Sequence, residues 1–162
     1  MKRIGILSDT HGFIDERIYT YFTDCDEIWH AGDWGSTESV NDLQQFKPIR
    51  GVYGNIDDYN VRACFSEHLR FRCEDVEVWI THIGGYPGRY DARVKPEIFT
   101  HPPRLFICGH SHILKVIYDK KLKVLHINPG AAGKAGFHKT PTIVRLEIAG
   151  ERIQNLEVIE LP

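Results

Sequence analysis

No apolar run in this sequence approaches the roughly 20 residues that a membrane-spanning helix requires, so a helical membrane protein is not expected. Nor is there an excess of charge of either sign. The 20 Lys and Arg stand against 22 Asp and Glu, a net charge of −2, which gives no general electrostatic case for nucleic acid or an anionic membrane surface. The four cysteines, Cys25, Cys64, Cys73 and Cys108, form no CxxC pair, and 162 residues can bury a core without disulfides. Scattered thiols fit a reducing cytoplasm. Met1–Asp9 carries two basic residues but only a very short apolar run, so no secretory leader is expected. Repeats, low-complexity stretches and linkers are also lacking. The length suits one domain over residues 1–162.

What is present is a regular alternation. Short apolar runs at Ile4–Leu7, Glu27–His30 and Ile49–Tyr53 read as buried strands. Helical spacing of Ile14, Ile18, Tyr21 and Phe22 predicts a helix after the first. Val40, Leu43 and Phe46, with Ser36 as N-cap and Pro48 as stop, predict one after the second. This strand–helix alternation favours a parallel sheet with right-handed crossovers. Hairpins are expected at Leu69–Arg72 with Val76–Ile80, at Val116–Tyr118 with Val124–Ile127, and at Ile143–Ile148 with Ile153–Ile159. A further buried strand is expected at Leu105–Cys108. A Gly-, Pro- and Tyr-rich loop spans Gly84–Tyr90, and a short helix near Ala92–Phe99 contains Pro96, which is able to split it.

Five polar words end the expected strands: Asp9-Thr-His11, Gly32-Asp33, Gly54-Asn55, Thr81-His82 and Gly109-His-Ser-His112. In parallel α/β architecture the strand C-termini share one edge, so these groups would converge from distant positions. Asp9 and His11 are two apart, as are His110 and His112, and residues so spaced share a face of an extended segment. The words hold seven potential ligands and no cysteine, which argues against a closed structural zinc site. Imidazole, carboxylate and amide oxygen together suit Mn, Fe, Zn, Co or Ni rather than Mg or Ca. A shared carboxylate can bridge two such cations about 3.5–4 Å apart with a hydroxide between them.

The ordered series DxH, GD, GN, H and GHxH resembles the calcineurin-like metallophosphoesterase superfamily. Ser8–Gly12, Gly109–His112 and Ile127–Gly130, with the small size, are most similar to the compact YfcE-type phosphodiesterases of bacteria and archaea. The resemblance implies a four-layer α/β/β/α sandwich, two mixed β-sheets flanked by helices. It implies two divalent transition-metal ions, manganese foremost, with Asp9, His11 and His112 on one and Asn55, His82 and His110 on the other. Asp33 would bridge them. The activity implied is hydrolysis of a small-molecule phosphodiester by in-line attack of the bridging hydroxide, with Asp33, His110 and His82 as the catalytic set.

One position departs from the wider superfamily. Many members carry a histidine directly after the Asn of the GN word, where it can protonate the leaving group; this chain has Ile56, followed by Asp57 and Asp58. Loss of a general acid costs roughly 10²–10⁴-fold on poor leaving groups. The YfcE-type relatives also lack that histidine, and Asp57 is read as a support for the Asn55 loop. Arg89 and His138 are candidate substrate contacts, each weighed against a purely structural role. His30, His68, His101 and His126 are read as core or surface histidines. Two rival functions remain: a protein-interaction scaffold like the retromer subunit of this superfamily, and a nuclease, which salt-sensitive DNA binding would reveal. A homo-oligomer is left open.

Overall fold

The first strand, β1 (Lys2–Leu7), is buried on both faces along its last four residues. Ile4 and Ile6 point into one apolar cluster, while Leu7 points into another with Ile18 and Phe22. A strand buried on both sides belongs at the centre of a sheet. β1 lies between β2 (Glu27–His30), which is parallel to it, and β11 (Thr142–Ala149), which is antiparallel. β3 (Ile49–Gly51) extends the parallel side, and β12 (Arg152–Glu160) closes the other. The computed structural model describes residues 1–162.

The second sheet is also five-stranded and mixed, in the order β4-β5-β8-β10-β9. Its strands are β4 (His68–Cys73), β5 (Val76–Thr81), β8 (Leu105–Ile107), β9 (Lys115–Asp119) and β10 (Val124–Asn128). β5, β8 and β10 run parallel, whereas the outer pairs β4/β5 and β9/β10 are hairpins. The two sheets pack face to face over fifteen buried residues that include Ile4, Trp29, Val78, Ile107, Ile127 and Leu146. Each fully buried aliphatic side chain there contributes about 1.5–3 kcal/mol.

Helices cover the outer faces. α1 (Arg17–Tyr21), α2 (Thr37–Phe46) and α3 (Tyr59–Arg62) place Ile18, Val40, Leu43 and Val61 against the first sheet. α4 (Lys95–Thr100) and its flank place Ile98 and Val94 against Trp79 and Phe106 of the second. The molecule is therefore a four-layer α/β/β/α sandwich, as the resemblance implies. None of the helices is long and apolar enough to cross a membrane.

The helices differ most from the sequence-based expectation. Ser36 caps α2 through its Oγ and the Ser39 N–H, as expected. α1 spans only five residues: Asp15 Oδ1 accepts from the Arg17 N–H at its start, so the apolar spacing that begins at Ile14 becomes helix only from Arg17. Pro96 does not split α4; it occupies the first turn, where its missing N–H costs nothing. α3 has no counterpart in the periodicity, being one turn held by Asp58 Oδ1 accepting from the Val61 N–H. The loop Gly84–Tyr90 contains a two-stranded ribbon, β6 (Gly85–Tyr86) with β7 (Arg89–Tyr90).

Candidate metal centre

All five polar words lie at one edge. Asp9, Asp33 and Asn55 follow β1, β2 and β3 of the first sheet, while His82 and the His110–His112 segment follow β5 and β8 of the second. The site therefore straddles the C-terminal ends of both parallel strand sets. Backbone hydrogen bonds tie its loops together: Asp9 N–H donates to Gly32 O, His11 N–H to Asp33 O, and Gly109 N–H to His82 O. A sixth segment, at the end of β10 and beyond it, joins the two halves. Asn128 Nδ2 donates to Gly109 O and to Ser111 Oγ, and Gly133 N–H donates to Asp9 O.

Five of the seven candidates sit in the left-handed region: Asp9, His11, Asp33, His110 and His112, with φ between 49° and 72°. Such a backbone costs a non-glycine residue of order 1–3 kcal/mol and persists only where its surroundings over-determine it. Close approach shapes the neighbouring glycines. A Cβ at Gly32 would lie 2.7 Å from the His82 ring, and one at Gly54 would overlap the Asp33 carboxylate. A GD or GN word thus holds glycine where a side chain from another word must pass.

Two carboxylates and three imidazoles converge at the centre. Asp9 Oδ1 lies 3.2 Å from His112 Nε2, 3.7 Å from His11 Nε2 and 3.8 Å from His82 Nε2. Asp33 Oδ2 lies 3.2 Å from His82 Nε2 and 3.5 Å from His11 Nε2. The other carboxylate oxygens are held from outside: Asp9 Oδ2 accepts from Ser8 Oγ and the His110 N–H, and Asp33 Oδ1 accepts from the Ile56 N–H. Asn55 and His110 lie at the open rim, where His110 Nδ1 donates to Asn55 Oδ1 at 2.9 Å. The His82 and His110 rings are 5.3 Å apart.

Asp9 Oδ1, His11 Nε2 and His82 Nε2 are buried and have no hydrogen-bond partner. An unpaired buried polar atom costs about 1–3 kcal/mol, and a cation would satisfy these three. The donor set fits one. Asp9, His11 and His112 form one group with mutually close ligand atoms, and Asp9, Asp33 and His82 form another. The tautomer of His82 is set, because its Nδ1–H donates to Ala31 O at 2.7 Å and leaves the Nε2 lone pair facing the carboxylates.

Titration behaviour follows from the same contacts. Burial alone would raise the Asp9 carboxyl, but His11, His112, His82 and the Ser8 hydroxyl hold it well below the usual carboxylate range. The neighbouring Asp9 carboxylate raises His11 despite partial burial, with Asp33 adding to the effect. Burial opposes charge on His82, yet Asp33 and Asp9 outweigh it and raise that imidazole. Burial and the neighbouring His82 lower His110. The carboxylates that raise these imidazoles would also attract a cation, so protons and a cation would compete for the same ring nitrogens.

The two expected substrate contacts are placed differently. His138 donates from Nε2 to Gly133 O, and its ring stands edge-on 5.2 Å from His112. It lines a cavity of about 400 Å³ with His110, His112, Ile113 and Phe137. Arg89 is exposed on β7. Arg62 and Arg93, which the sequence did not single out, line a second cavity of about 270 Å³ with Tyr53, Asn55 and His82. Arg62 also donates to the carbonyls of Asp57 and Asn55. Asp57, expected from the sequence to support the Asn55 loop, reaches the Asp33 loop as well. Its carboxylate accepts from the N–H groups of Asp33, Gly35 and Gly54, holding two words together. The pattern Gly54-Asn-Ile-Asp57 is its only trace in the sequence.

Comparison with known proteins supports the same family. A model of the calcineurin-like phosphoesterase superfamily domain matches residues 1–151. A probable metallophosphoesterase of Methanothermobacter thermautotrophicus is 28% identical over 158 residues, covering 93% of this chain and 88% of the relative. One from Mycoplasma pneumoniae is 25% identical over 163 residues, covering 96% of each. Among solved structures, an archaeal phosphodiesterase superposes with a TM-score of 0.74 at 23% identity, over 98% of this chain and 99% of that one. Chaetomium thermophilum Vps29 superposes with a TM-score of 0.79 at 12% identity, over 99% and 97%. A zinc complex of Entamoeba histolytica Vps29 gives 0.76 at 14% identity, over 98% of each. At these identities the structural likenesses establish the fold alone, whereas the family match spans nearly the whole chain and contains every polar word. The chain belongs to the calcineurin-like phosphoesterase superfamily.

Proposed function

We propose that this protein is a phosphodiesterase working with two divalent transition-metal ions, manganese foremost, held by the seven residues of the polar words. The carrying observation is the convergence of Asp9 Oδ1, His11 Nε2 and His82 Nε2, all buried and all without a hydrogen-bond partner. Asp9, His11 and His112 would hold one ion, and Asn55, His82 and His110 the other. Asp33 would bridge, since its Oδ2 approaches a ligand of each group. When bound, such ions lower the pKa of water and offset charge on phosphoryl oxygens.

The chain's own groups do the rest. The Ala31 carbonyl orients His82, and Asp57 and Asn128 hold the loops so that little reorganisation accompanies substrate binding. His110 lies at the rim, where its Nδ1 holds the Asn55 side chain. Arg62 and Arg93 line the cavity beside Asn55 and His82, where the ester group of a diester would lie. Ile56 is 46% exposed and offers no proton, so good leaving groups are favoured. The reading extends to one domain over residues 1–162, acting in the cytoplasm on a small-molecule substrate.

The likeness to Vps29 keeps a scaffold role as the second reading. The complete ligand set favours hydrolysis. Protein stripped of metal and reloaded with Mn²⁺, Ni²⁺, Zn²⁺ or Mg²⁺ is expected to hydrolyse an aryl phosphodiester in preference to the matching monoester. Asp33→Asn is expected to lower kcat by more than the roughly 10–100-fold typical of losing an outer-shell support. Two bound ions without turnover on either ester would favour the scaffold instead.

A further inference from the structure

The two sheets end in four edge strands, and three of them are protected. β3 has only three residues. β4 carries His68, Arg70 and Arg72, and β12 carries Arg152, Gln154, Asn155, Glu157 and Glu160. Charged or very short edges resist pairing with another chain. β9 is different. It pairs with β10 on one side only, and its three central residues, Val116, Ile117 and Tyr118, are 38%, 39% and 53% exposed. Ile113 and Leu114, just before it, are 57% and 37% exposed.

The register with β10 assigns each β9 side chain to a face. Val116 and Tyr118 stand opposite Ile127 and Leu125, on the side of the inter-sheet core. Lys115, Ile117 and Asp119 stand opposite Asn128, His126 and Val124. The outer face holds Val124 with Tyr90, whose hydroxyl donates to Asp119. Thus Lys115, Ile117 and Asp119 share one face, a cation and an anion placed symmetrically about an aliphatic residue.

We propose that β9 is a self-association edge, pairing antiparallel with β9 of a second copy of this chain about a two-fold axis at Ile117. In that register Lys115 stands opposite Asp119 of the other copy, twice over, Val116 stands opposite Tyr118, and Ile117 meets itself. Directly opposed charges and aromatic–β-branched pairs are the favourable cross-strand combinations. An antiparallel pairing of identical strands is isologous and closes at two copies. Parallel pairing in register would instead stack like charges, and a one-residue slip would separate the ionic pairs. The complementarity lies within the strand itself, which makes a second copy the occupant. The result is one continuous ten-stranded sheet, twice the five strands of each copy.

Sedimentation of the full-length chain across the micromolar range tests this. The wild type is expected to show a concentration-dependent dimer. Ile117→Lys, which sets two ammonium groups against each other at the axis, is expected to weaken it about 100-fold. Circular dichroism and metal content of that variant should be unchanged, which separates lost pairing from lost folding. Lys115→Glu, placing like charges opposite, should weaken the dimer in the same direction. In a Cys64→Ser background, Ile117→Cys is expected to cross-link on mild oxidation far faster than Val116→Cys or Tyr118→Cys. Monomeric protein throughout the range overturns the proposal and leaves the edge to a strand of another protein. A dimer indifferent to Ile117→Lys, or one cross-linking best at position 116 or 118, overturns it equally.

Discussion

A buried histidine with nothing to bond is a liability, and His126 is one. Both its ring nitrogens lie within the protein without a partner, and burial pushes the imidazole down to about 4. His30 is also buried and pushed down, to about 3, but is satisfied: its Nδ1 accepts from the Gly32 N–H, and its Nε2–H donates to Thr10 Oγ1. For His126 the folded-state value lies below the unfolded value near 6.5, so on acidification the unfolded chain takes the proton first. The stability tied to this group is fully present above about pH 6.5 and is lost progressively toward pH 4. His126→Leu is expected to remove one proton from that acid limb, a slope of up to about 1.4 kcal/mol per pH unit. It should also raise stability at neutral pH by about 1–2 kcal/mol, because an unpaired N–H is no longer buried. Urea unfolding at pH 4.5 and at pH 7 measures both; an unchanged difference between the two pH values would contradict the assignment. At this scale the candidate ligands were legible because five words in a fixed order supply them, although any one Asp or Asn there would pass for a turn residue. The left-handed backbone at five of them was not, since no composition or spacing signals it.

Loops rather than helices or strands carry the candidate site, and their rigidity comes from a few polar side chains. Asp57 accepts three backbone N–H groups from the Asp33 and Gly54 segments, and Asn128 grips the Gly109–Ser111 segment. Deleting the Asp57 carboxylate leaves three donors to find water in a crowded place. Asp57→Ala is expected to cost about 3 kcal/mol in urea unfolding. It should also weaken metal binding about 10–100-fold. The loss should fall more heavily on the ion that Asn55 would hold, beside the braced Gly54, than on the one beside His112. Titration of stripped protein with Mn²⁺ resolves the two steps, and equal weakening of both would show that Asp57 supports the fold only. Strands were well marked in the sequence because the apolar runs break either at a polar word or at a hairpin turn. Helices were marked unevenly: α2 follows its spacing and its Ser36 cap, whereas α3 is a single turn set by Asp58 and α1 begins only at Arg17. Bracing of backbone by Asp57 has no periodicity to betray it.

Across the whole molecule, the candidate site is where the two sheets meet without a continuous apolar seam. The inter-sheet core ends at Ile80, Ile107 and Ile6, and beyond it the first sheet contributes Asp9 and Asp33 while the second contributes His82 and His112. Without cations, that junction is held by imidazoles made more basic by carboxylates. His11 and His82 are raised, so their stabilisation is present below the unfolded value near 6.5 and is lost as pH rises through their folded values. At alkaline pH the stripped protein then keeps two buried carboxylates against neutral rings. A cation at the junction should therefore stabilise the molecule most where the histidines have lost their protons, and least in mild acid, where protons compete for the same atoms. At a free concentration 100 times the dissociation constant, each ion adds about 2.7 kcal/mol. For a chain of this length that corresponds to a rise in Tm of about 5–10 °C. Melting curves of stripped and Mn²⁺-loaded protein at pH 5.5 and pH 8 are expected to separate more widely at pH 8, and chelator should abolish the difference. A shift of the same size at both pH values would mean that protons and cations do not share these ligands, and the coupling between the sheets would need another source.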